Sequence, residues 1–332
     1  MPCAVRKTEE YSTTLVASPT TLHQFSVVQG AQSRPRVMGA VAMGRHINDP
    51  FETYRAVADS GRAVELAATT SPFQIEVRFL GGLTGSQKSV FAEAADRWAR
   101  VIVGDLETAV INDLTGRVVI DDLLIDAEGV PIDGVNNVPN VLGQAGPTRF
   151  RREDAASGAG LPVKGRMMFD SADLAQMEDE GSLLDVITHE MGHVLGIGTV
   201  WDDFGFLKDF PGHDPTFVGP GAMKEFGTLT GEGPAPVPVA NVGGPGSAGG
   251  HWRESVFDDE LMSPNIDGNS NPLSRLTVAS LGDLGYTVDL DAAQDYELPN
   301  LLEIARSGRV PAAMAEHVVL PTIPTRIPAE RP

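Results

Sequence analysis

The segment that most constrains this chain is an apolar, helix-forming stretch that carries two histidines four residues apart. Residues 182–196 read SLLDVITHEMGHVLG, so apolar residues flank His189 and His193 on both sides. On a helix, residues four apart lie on one face, one turn from each other. We expect the helix to begin at a cap formed by Ser182 and to end at Gly196 in a left-handed conformation. Because so apolar a helix is buried and buried polar groups need partners, the two imidazoles are expected to share a metal ion.

Glu190 lies between the two histidines in sequence but points about 100° further round the helix. In the H-E-x-x-H pattern, the histidines bind zinc at about 2.1 Å and the glutamate acts on the metal-bound water. The alternative is an amphipathic helix with two surface histidines, which the apolar flanks disfavour. The motif therefore predicts a catalytic zinc ion with His189 and His193 as ligands and Glu190 as general base.

A catalytic zinc ion normally has a third protein ligand and a water molecule. In the compact pattern H-E-x-x-H-x-x-G-x-x-H, that ligand would fall at Thr199, which cannot replace a histidine. The other histidines of the chain are His23, His46, His213, His251 and His317. Chemistry alone favours His251 modestly over His213, because the glycines before it and the turn at Leu261–Pro264 after it would let the chain fold back towards the helix.

Upstream of this helix, Phe73, Ile75, Val77 and Phe79 alternate with polar residues, which predicts a strand with one buried face. Apolar residues then recur at helical spacing from Val90 to Ile102, and Trp98 is expected in the core. A strand followed by a long helix is typical of α/β and α+β domains. The remaining sequence predicts, in order, a helix over Arg55–Ala68, a strand over Arg117–Ile125 with a turn at Asp126–Gly129, a surface connection over 129–163, a short strand over Gly165–Asp170, acidic helical turns over Ser171–Gly181, loop over Trp201–Gly250, and a helix over Leu276–Leu284 closed by Gly285.

The expected organisation is a loosely ordered leader at residues 1–70, a domain at 71–296 and a proline-rich tail at 297–332. The chain has 45 acidic and 25 basic residues, a formal net charge of −20, which argues against a nucleic-acid or anionic-membrane partner. The sequence contains no apolar run of about 18 residues, so we expect no transmembrane helix, and the first residues lack the pattern of a signal peptide.

The single cysteine, Cys3, allows no intrachain disulfide. We interpret it as an incidental thiol, with blocking of the metal as the alternative.

Taken together, three segments resemble the leishmanolysin family of metzincin peptidases: HEMGHVLG at 189–196, HWRE at 251–254 after a long insertion, and DELMSP at 259–264. The resemblance extends from near Phe73 to Tyr286. It implies that His251 is the third ligand beside His189 and His193, that Glu190 is the general base, and that Met262 forms the Met-turn, an apolar floor beneath the zinc ligands. Eukaryotic members are rich in disulfides and have a large C-terminal region, so this chain resembles compact prokaryotic relatives more.

The resemblance also implies a fold and a function. The expected fold is α+β, a metzincin-like catalytic domain with a mixed twisted sheet, an active-site helix and a mostly irregular C-terminal subdomain. The expected function is that of a monomeric zinc endopeptidase acting on protein or peptide substrates, at an extracellular or cell-surface location. Gly165–Asp170 resembles the edge strand that lines the metzincin cleft, where a substrate pairs in extended form.

Several alternatives remain open at this level. The main one is a catalytically inactive zinc-bearing binding module on the same scaffold, and others are a zinc hydrolase of another substrate class and a calcium-stabilised, adhesin-like protein. Asp121-Asp122 and Asp126–Gly129 offer carboxylates for Ca²⁺, but neither matches the twelve-residue calcium loop, so solvated acidic turns are favoured. Tyr286 and Tyr296 are candidates either for transition-state stabilisation or for the core.

Overall fold

The structure, a computed structural model, describes residues 51–113, 115–132, 134, 142–243, 247–266 and 270–300, and the backbone of Thr325 and Arg326. The strands in this part are β1 (Glu52–Val57), β2 (Gln74–Gly81), β3 (Ala109–Asp113), β4 (Gly116–Ile120), β5 (Leu123–Val130), β6 (Gly143–Phe150), β7 (Pro162–Asp170), β8 (Leu207–Lys208), β9 (Thr216–Phe217), β10 (Val237–Pro238) and β11 (Thr325–Arg326). The helices are α1 (Ser60–Ala67), α2 (Gly85–Val101), α3 (Ser171–Glu180), α4 (Leu183–Leu195), α5 (Pro220–Thr230), α6 (Glu254–Phe257) and α7 (Arg275–Leu284). None of these helices has the length and apolar character that a membrane span requires.

The main sheet has six strands in the order β1-β2-β5-β7-β6-β11. Strands β2, β5 and β7 run parallel, whereas β1 is antiparallel to β2 and β6 is antiparallel to β7. Helices α2 and α4 pack against each other, with α2 on β1 and β2 and α4 on β6 and β7. The predicted α+β fold with a mixed sheet is confirmed.

Strand β2 and helix α2 form as the sequence predicts. Phe73, Ile75, Val77 and Phe79 are buried. Helix α2 begins with a reciprocal capping box between Thr84 and Gln87, which satisfies two backbone N–H groups at the helix start. Trp98 is fully buried, and its indole N–H donates to the carbonyl of Thr188 in α4 at 2.9 Å. Helix α2 therefore supports the helix that carries the histidines.

The helix predicted over Arg55–Ala68 is wrong in its first part. Arg55 belongs to β1, which pairs with β2 from Glu52 opposite Phe79 to Val57 opposite Gln74. The helix begins only at Ser60. Its N-terminal cap is Asp59, whose side chain accepts the backbone N–H of Arg62 at 2.9 Å. Ordered structure thus lies within the segment that we assigned to the leader. The division at residues 70 and 296 stays a prediction, and residues 1–50 lie outside the described part.

The turn predicted at Asp126–Gly129 is also wrong, because these residues continue β5. Asp126 forms ion pairs with Arg78 of β2 at 2.6 Å and with Lys164 of β7 at 2.9 Å. Glu128 pairs with Arg166 of β7 in the same way. Acidic residues that suggested a turn are therefore tolerated in a central strand, since the neighbouring strands supply their counterions.

Strand β6 lies in the segment predicted to be surface connection. Its sequence, GQAGPTRF, contains glycine and proline, which weaken a strand signal, and the pairing register shifts between Pro147 and Arg149. Because β6 covers one side of β7, the expectation that Gly165–Asp170 forms an edge is wrong. Beyond β6 lies β11, which pairs with Arg149 and Phe150.

After α4, the chain is more ordered than predicted. Helix α5 lies within the segment expected to be loop, and it begins with Pro220 and ends at Gly231 in the left-handed conformation. Helix α7 ends at Gly285, as predicted, and packs against α5. Asp283 of α7 accepts the backbone N–H groups of Gly221 and Ala222 at 2.7 and 2.9 Å. These contacts join the start of α5 to α7.

Candidate metal centre

Helix α4 presents His189 and His193 to one buried site. Both side chains are almost completely buried, and their Nε2 atoms lie 3.1 Å apart. The helix ends at Gly196 with φ 115°, as predicted. Ser182 is the N-terminal cap residue, as predicted, but its hydroxyl makes no capping hydrogen bond. Its carbonyl accepts the N–H of Val186 at 3.1 Å.

His251 reaches the same site from a loop. Its Nε2 lies 3.0 Å from the Nε2 of His189 and 3.0 Å from that of His193. The loop approaches the end of α4 very closely, since a Cβ built on Gly198 would lie 1.9 Å from the carbonyl oxygen of Gly250. Gly198 also has φ 72°, a conformation that favours glycine. A glycine pair therefore makes the convergence of the three rings sterically feasible.

The second ring nitrogens identify the tautomers. The Nδ1 atoms of His189, His193 and His251 lie 2.7, 2.9 and 3.0 Å from the carbonyl oxygens of Leu261, Ile197 and Ser247. A carbonyl oxygen only accepts, so each Nδ1 carries the proton and each Nε2 directs a lone pair towards the centre. Three converging lone pairs repel one another unless a cation lies among them. Their spacing fits one zinc ion at about 2.1 Å from each nitrogen.

Glu190 follows His189 directly in α4 and is buried, about 1% exposed. Its Oε2 finds no hydrogen-bond donor among the described residues. Burial raises the pKa of Glu190 to about 8. A cation bound nearby would favour the ionised form. The site thus combines a carboxyl group of raised pKa with three histidines that could hold a metal ion.

Met262 lies under the helix. It is fully buried in a turn in which the N–H of Ser263 donates to the carbonyl of Glu260 at 2.9 Å. A Cβ built on Gly192 would lie 2.8 Å from Sδ of Met262, so the thioether packs against the helix backbone between the two histidines. The predicted tight turn is confirmed.

The family model described as leishmanolysin matches residues 133–298, which is half of the chain. The chain belongs to the leishmanolysin family. Leishmanolysin of Leishmania donovani is 32% identical over 148 residues, which cover 41% of this chain and 24% of that protein. Leishmanolysin of Leishmania major is 27% identical over 200 residues, which cover 56% and 32%. The matches thus span 24% and 32% of the length of these two relatives. Leishmanolysins are zinc metallopeptidases, and the group of three histidines is compatible with zinc.

The remaining histidines do not join the site in the described part of the chain. His213 lies on an exposed loop, where its carbonyl accepts the side-chain amide of Asn241 at 2.9 Å. Thr199, which occupies the position of the third histidine in the compact pattern H-E-x-x-H-x-x-G-x-x-H, donates its hydroxyl to the carbonyl of His193 at 2.8 Å. His23, His46, His317 and Cys3 lie outside the described residues.

The two tyrosines act within the protein framework. The Tyr286 hydroxyl donates to the carbonyl of Leu195 at 2.9 Å, and that of Tyr296 donates to the carbonyl of Phe257. Burial raises the pKa of both phenols well above the usual value. These contacts support the interpretation of Tyr286 and Tyr296 as core residues.

Asp105, Asp121 and Asp122 form a second group of converging carboxylates among the described residues. Both oxygens of Asp122 accept backbone N–H groups, from Leu106 at 2.7 Å and from Gln74 at 2.8 Å. Asp121 accepts from the hydroxyl of Thr108 and from the side-chain amide of Gln74. These carboxylates hold loops together, and a role in calcium binding stays untested.

The groups that orient the histidines were missed in the prediction from sequence. Backbone carbonyls hold all three Nδ1 atoms, and a carbonyl leaves no residue-specific signal in a sequence. Glu260 was missed as well. The sequence shows an acidic residue directly before the apolar pair Leu261-Met262, and the structure shows that this residue is fully buried, which is unusual for a glutamate.

Proposed function

We propose that this chain is a zinc-dependent endopeptidase in which His189, His193 and His251 hold the ion. The observation that carries the proposal is the convergence of three Nε2 lone pairs at 3.0–3.1 Å. Each Nδ1–H is held by a carbonyl, the outer-shell arrangement that fixes ring orientation and raises ligand basicity at metal sites. A zinc ion held by these histidines would lower the pKa of its water towards 7 and would polarise a substrate carbonyl.

Glu190 is the general base in this proposal. Its carboxylate takes a proton from the attacking water and returns it to the leaving amine. No serine or cysteine nucleophile is required. Glu190 is buried, and its Oε2 accepts no hydrogen bond from the described residues, which supports this role. A buried carboxylate with a purely structural role would be expected to accept hydrogen bonds on both oxygens. Met262 serves as an apolar floor and not as a ligand.

The substrate is proposed to be a protein or peptide in extended form. Strand β7 is paired on both sides, whereas most of β6 has a free outer side among the described residues. On that side only Arg149 and Phe150 pair with another strand, which is β11. Backbone pairing with a strand is sequence-tolerant and suits an endopeptidase. We further propose a monomeric enzyme, which light scattering on the purified chain tests.

Glu190→Gln tests the mechanism. The variant is expected to retain about one zinc ion per chain and to lose cleavage of a denatured protein substrate by about 100-fold or more, the usual contribution of general acid–base catalysis. Undiminished cleavage would refute the role of Glu190. A wild-type chain that binds zinc but cleaves no denatured protein would instead favour the zinc-bearing binding module.

A further inference from the structure

Glu260 is a fully buried carboxylate at the start of the turn that contains Met262. Its Oε2 accepts the backbone N–H of Met262 at 2.6 Å. Its Oε1 accepts the backbone N–H of Ser274 at 3.2 Å and the hydroxyls of Ser274 and Thr277 at 2.5 Å each. All of these donors are neutral. A buried carboxylate held in this way is costly unless every bond is made, so the arrangement fixes its surroundings tightly.

Two of the residues that contact Glu260 lie at the start of α7. Ser274 is the N-terminal cap of this ten-residue helix, and Thr277 lies in its first turn. Backbone N–H groups and the helix dipole favour a negative charge at this end. Glu260 therefore ties the Met262 turn to the rigid start of α7.

The contact with Met262 leads directly to His189. The N–H of Met262 and the carbonyl of Leu261 belong to one planar peptide group. Its N–H donates to Glu260, and its carbonyl accepts the Nδ1–H of His189 at 2.7 Å. Because bonds in such a chain polarise one another, the carboxylate strengthens the carbonyl as an acceptor. The result is a carboxylate–peptide–histidine relay.

A second path leads to the loop of His251. The hydroxyl of Thr277 donates to Glu260 and accepts the indole N–H of Trp252 at 2.7 Å. The backbone N–H of Trp252 also donates to the carbonyl of Met262 at 3.0 Å. Trp252 directly follows His251 in sequence, so the same carboxylate restrains the neighbour of a second histidine.

We propose that Glu260 is a positioning residue of the metal site, which orients and polarises the Leu261–Met262 peptide that holds His189 and anchors the loop of His251. The proposal rests on the proposed zinc function. It assigns a role to a residue outside the group of three histidines. It also explains why an acidic residue lies in the core directly before two apolar ones.

The test is the Zn²⁺ affinity of Glu260→Gln, measured by competition with a chromophoric chelator, together with the visible absorption spectrum of the Co²⁺-loaded variant. A glutamine has one oxygen for donors on two sides, so it cannot serve both Met262 and the start of α7. We expect Zn²⁺ affinity to fall about 10- to 100-fold, as for other outer-shell partners, and the Co²⁺ bands to shift. Asp283→Asn is the matched control, since Asp283 also accepts two backbone N–H groups but contacts α5. It should leave both readouts unchanged.

A folded Glu260→Gln variant with wild-type Zn²⁺ affinity and an unchanged Co²⁺ spectrum would overturn the proposal. If this variant does not fold, Thr277→Val decides, because it removes the link between Trp252 and Glu260 while keeping the residue shape. Reduced Zn²⁺ affinity in Thr277→Val supports the network, and unchanged affinity refutes it. The wild-type chain is measured first: failure to bind Zn²⁺ there contradicts the proposed function itself, not the role of Glu260 within it.

Discussion

Gly165 in β7 and Val194 in α4 are in direct contact, at the point where the histidine-bearing helix crosses the sheet. A Cβ built on Gly165 would lie 2.2 Å from Cγ1 of Val194. Val194 follows His193 directly, so this contact sets the distance between the sheet and the metal site. Because Gly165 has only a hydrogen atom in place of a side chain, α4 can approach β7 this closely.

Gly165→Ala is therefore expected to destabilise the protein by about 1–3 kcal/mol, the usual result of overpacking a core. It should also weaken Zn²⁺ binding, since the helix must move. Gly146→Ala in the neighbouring strand β6 is the control, because a Cβ there meets no atom within 4 Å. Chemical denaturation and chelator competition measure both effects. Equal stability of the two variants would contradict the importance of this contact.

Much of the framework around α4 could be predicted from sequence. The alternation at Phe73–Phe79 and the stop at Gly196 are local signals, and the structure follows them. Asp126 and β6 could not be predicted locally. Asp126 is compatible with a strand only because Arg78 and Lys164 lie on the neighbouring strands and pair with it. Strand β6 contains Pro147, which a strand tolerates where its pairing is irregular.

The candidate site divides in a similar way. His189, Glu190 and His193 follow from helical spacing, whereas residue chemistry favoured His251 over His213 only modestly. The resemblance to leishmanolysins favoured His251, and its nitrogen lies with the other two. The relay through Glu260 depends on a contact between residues 260 and 274, across a turn whose geometry no local pattern specifies.

Asp113→Asn tests the buried ion network beside the sheet. Burial disfavours the ionised carboxyl, but hydrogen bonds from Lys164, Thr115 and Arg78 outweigh burial and hold the pKa of Asp113 well below its usual range. A lowered folded-state pKa contributes stability above the unfolded value of about 4, and this stability is lost as the pH falls through the folded-state pKa. The variant should lose about 3–5 kcal/mol at pH 7, because it leaves buried cations undercompensated.

The difference between wild type and Asp113→Asn should shrink steadily below about pH 4 in urea unfolding measurements. Glu65→Gln is the control, because Glu65 pairs with Arg62 on the surface with 63% of its side chain exposed. It should change the free energy of unfolding by less than about 1 kcal/mol. A pH-independent difference for Asp113→Asn would show that its charge is not the source of the effect.

Tyr286→Phe separates a framework role from a catalytic one. The phenol donates to the carbonyl of Leu195 at the end of α4, so its removal should cost about 0.5–1.5 kcal/mol of stability. The kcat and KM for peptide cleavage should remain at wild-type values. A large loss of kcat with full zinc content and unchanged stability would place Tyr286 among the groups that stabilise the transition state.

The most direct test of the central claim is the Zn²⁺ affinity of His251→Ala and His213→Ala, measured side by side with the wild-type chain. His251 contributes one of three converging Nε2 atoms, whereas His213 lies on an exposed loop. His251→Ala is predicted to lose more affinity than the roughly 10- to 100-fold that an outer-shell partner costs, and His213→Ala to bind like wild type. Equal affinities, or a larger loss for His213→Ala, would contradict the three-histidine zinc site.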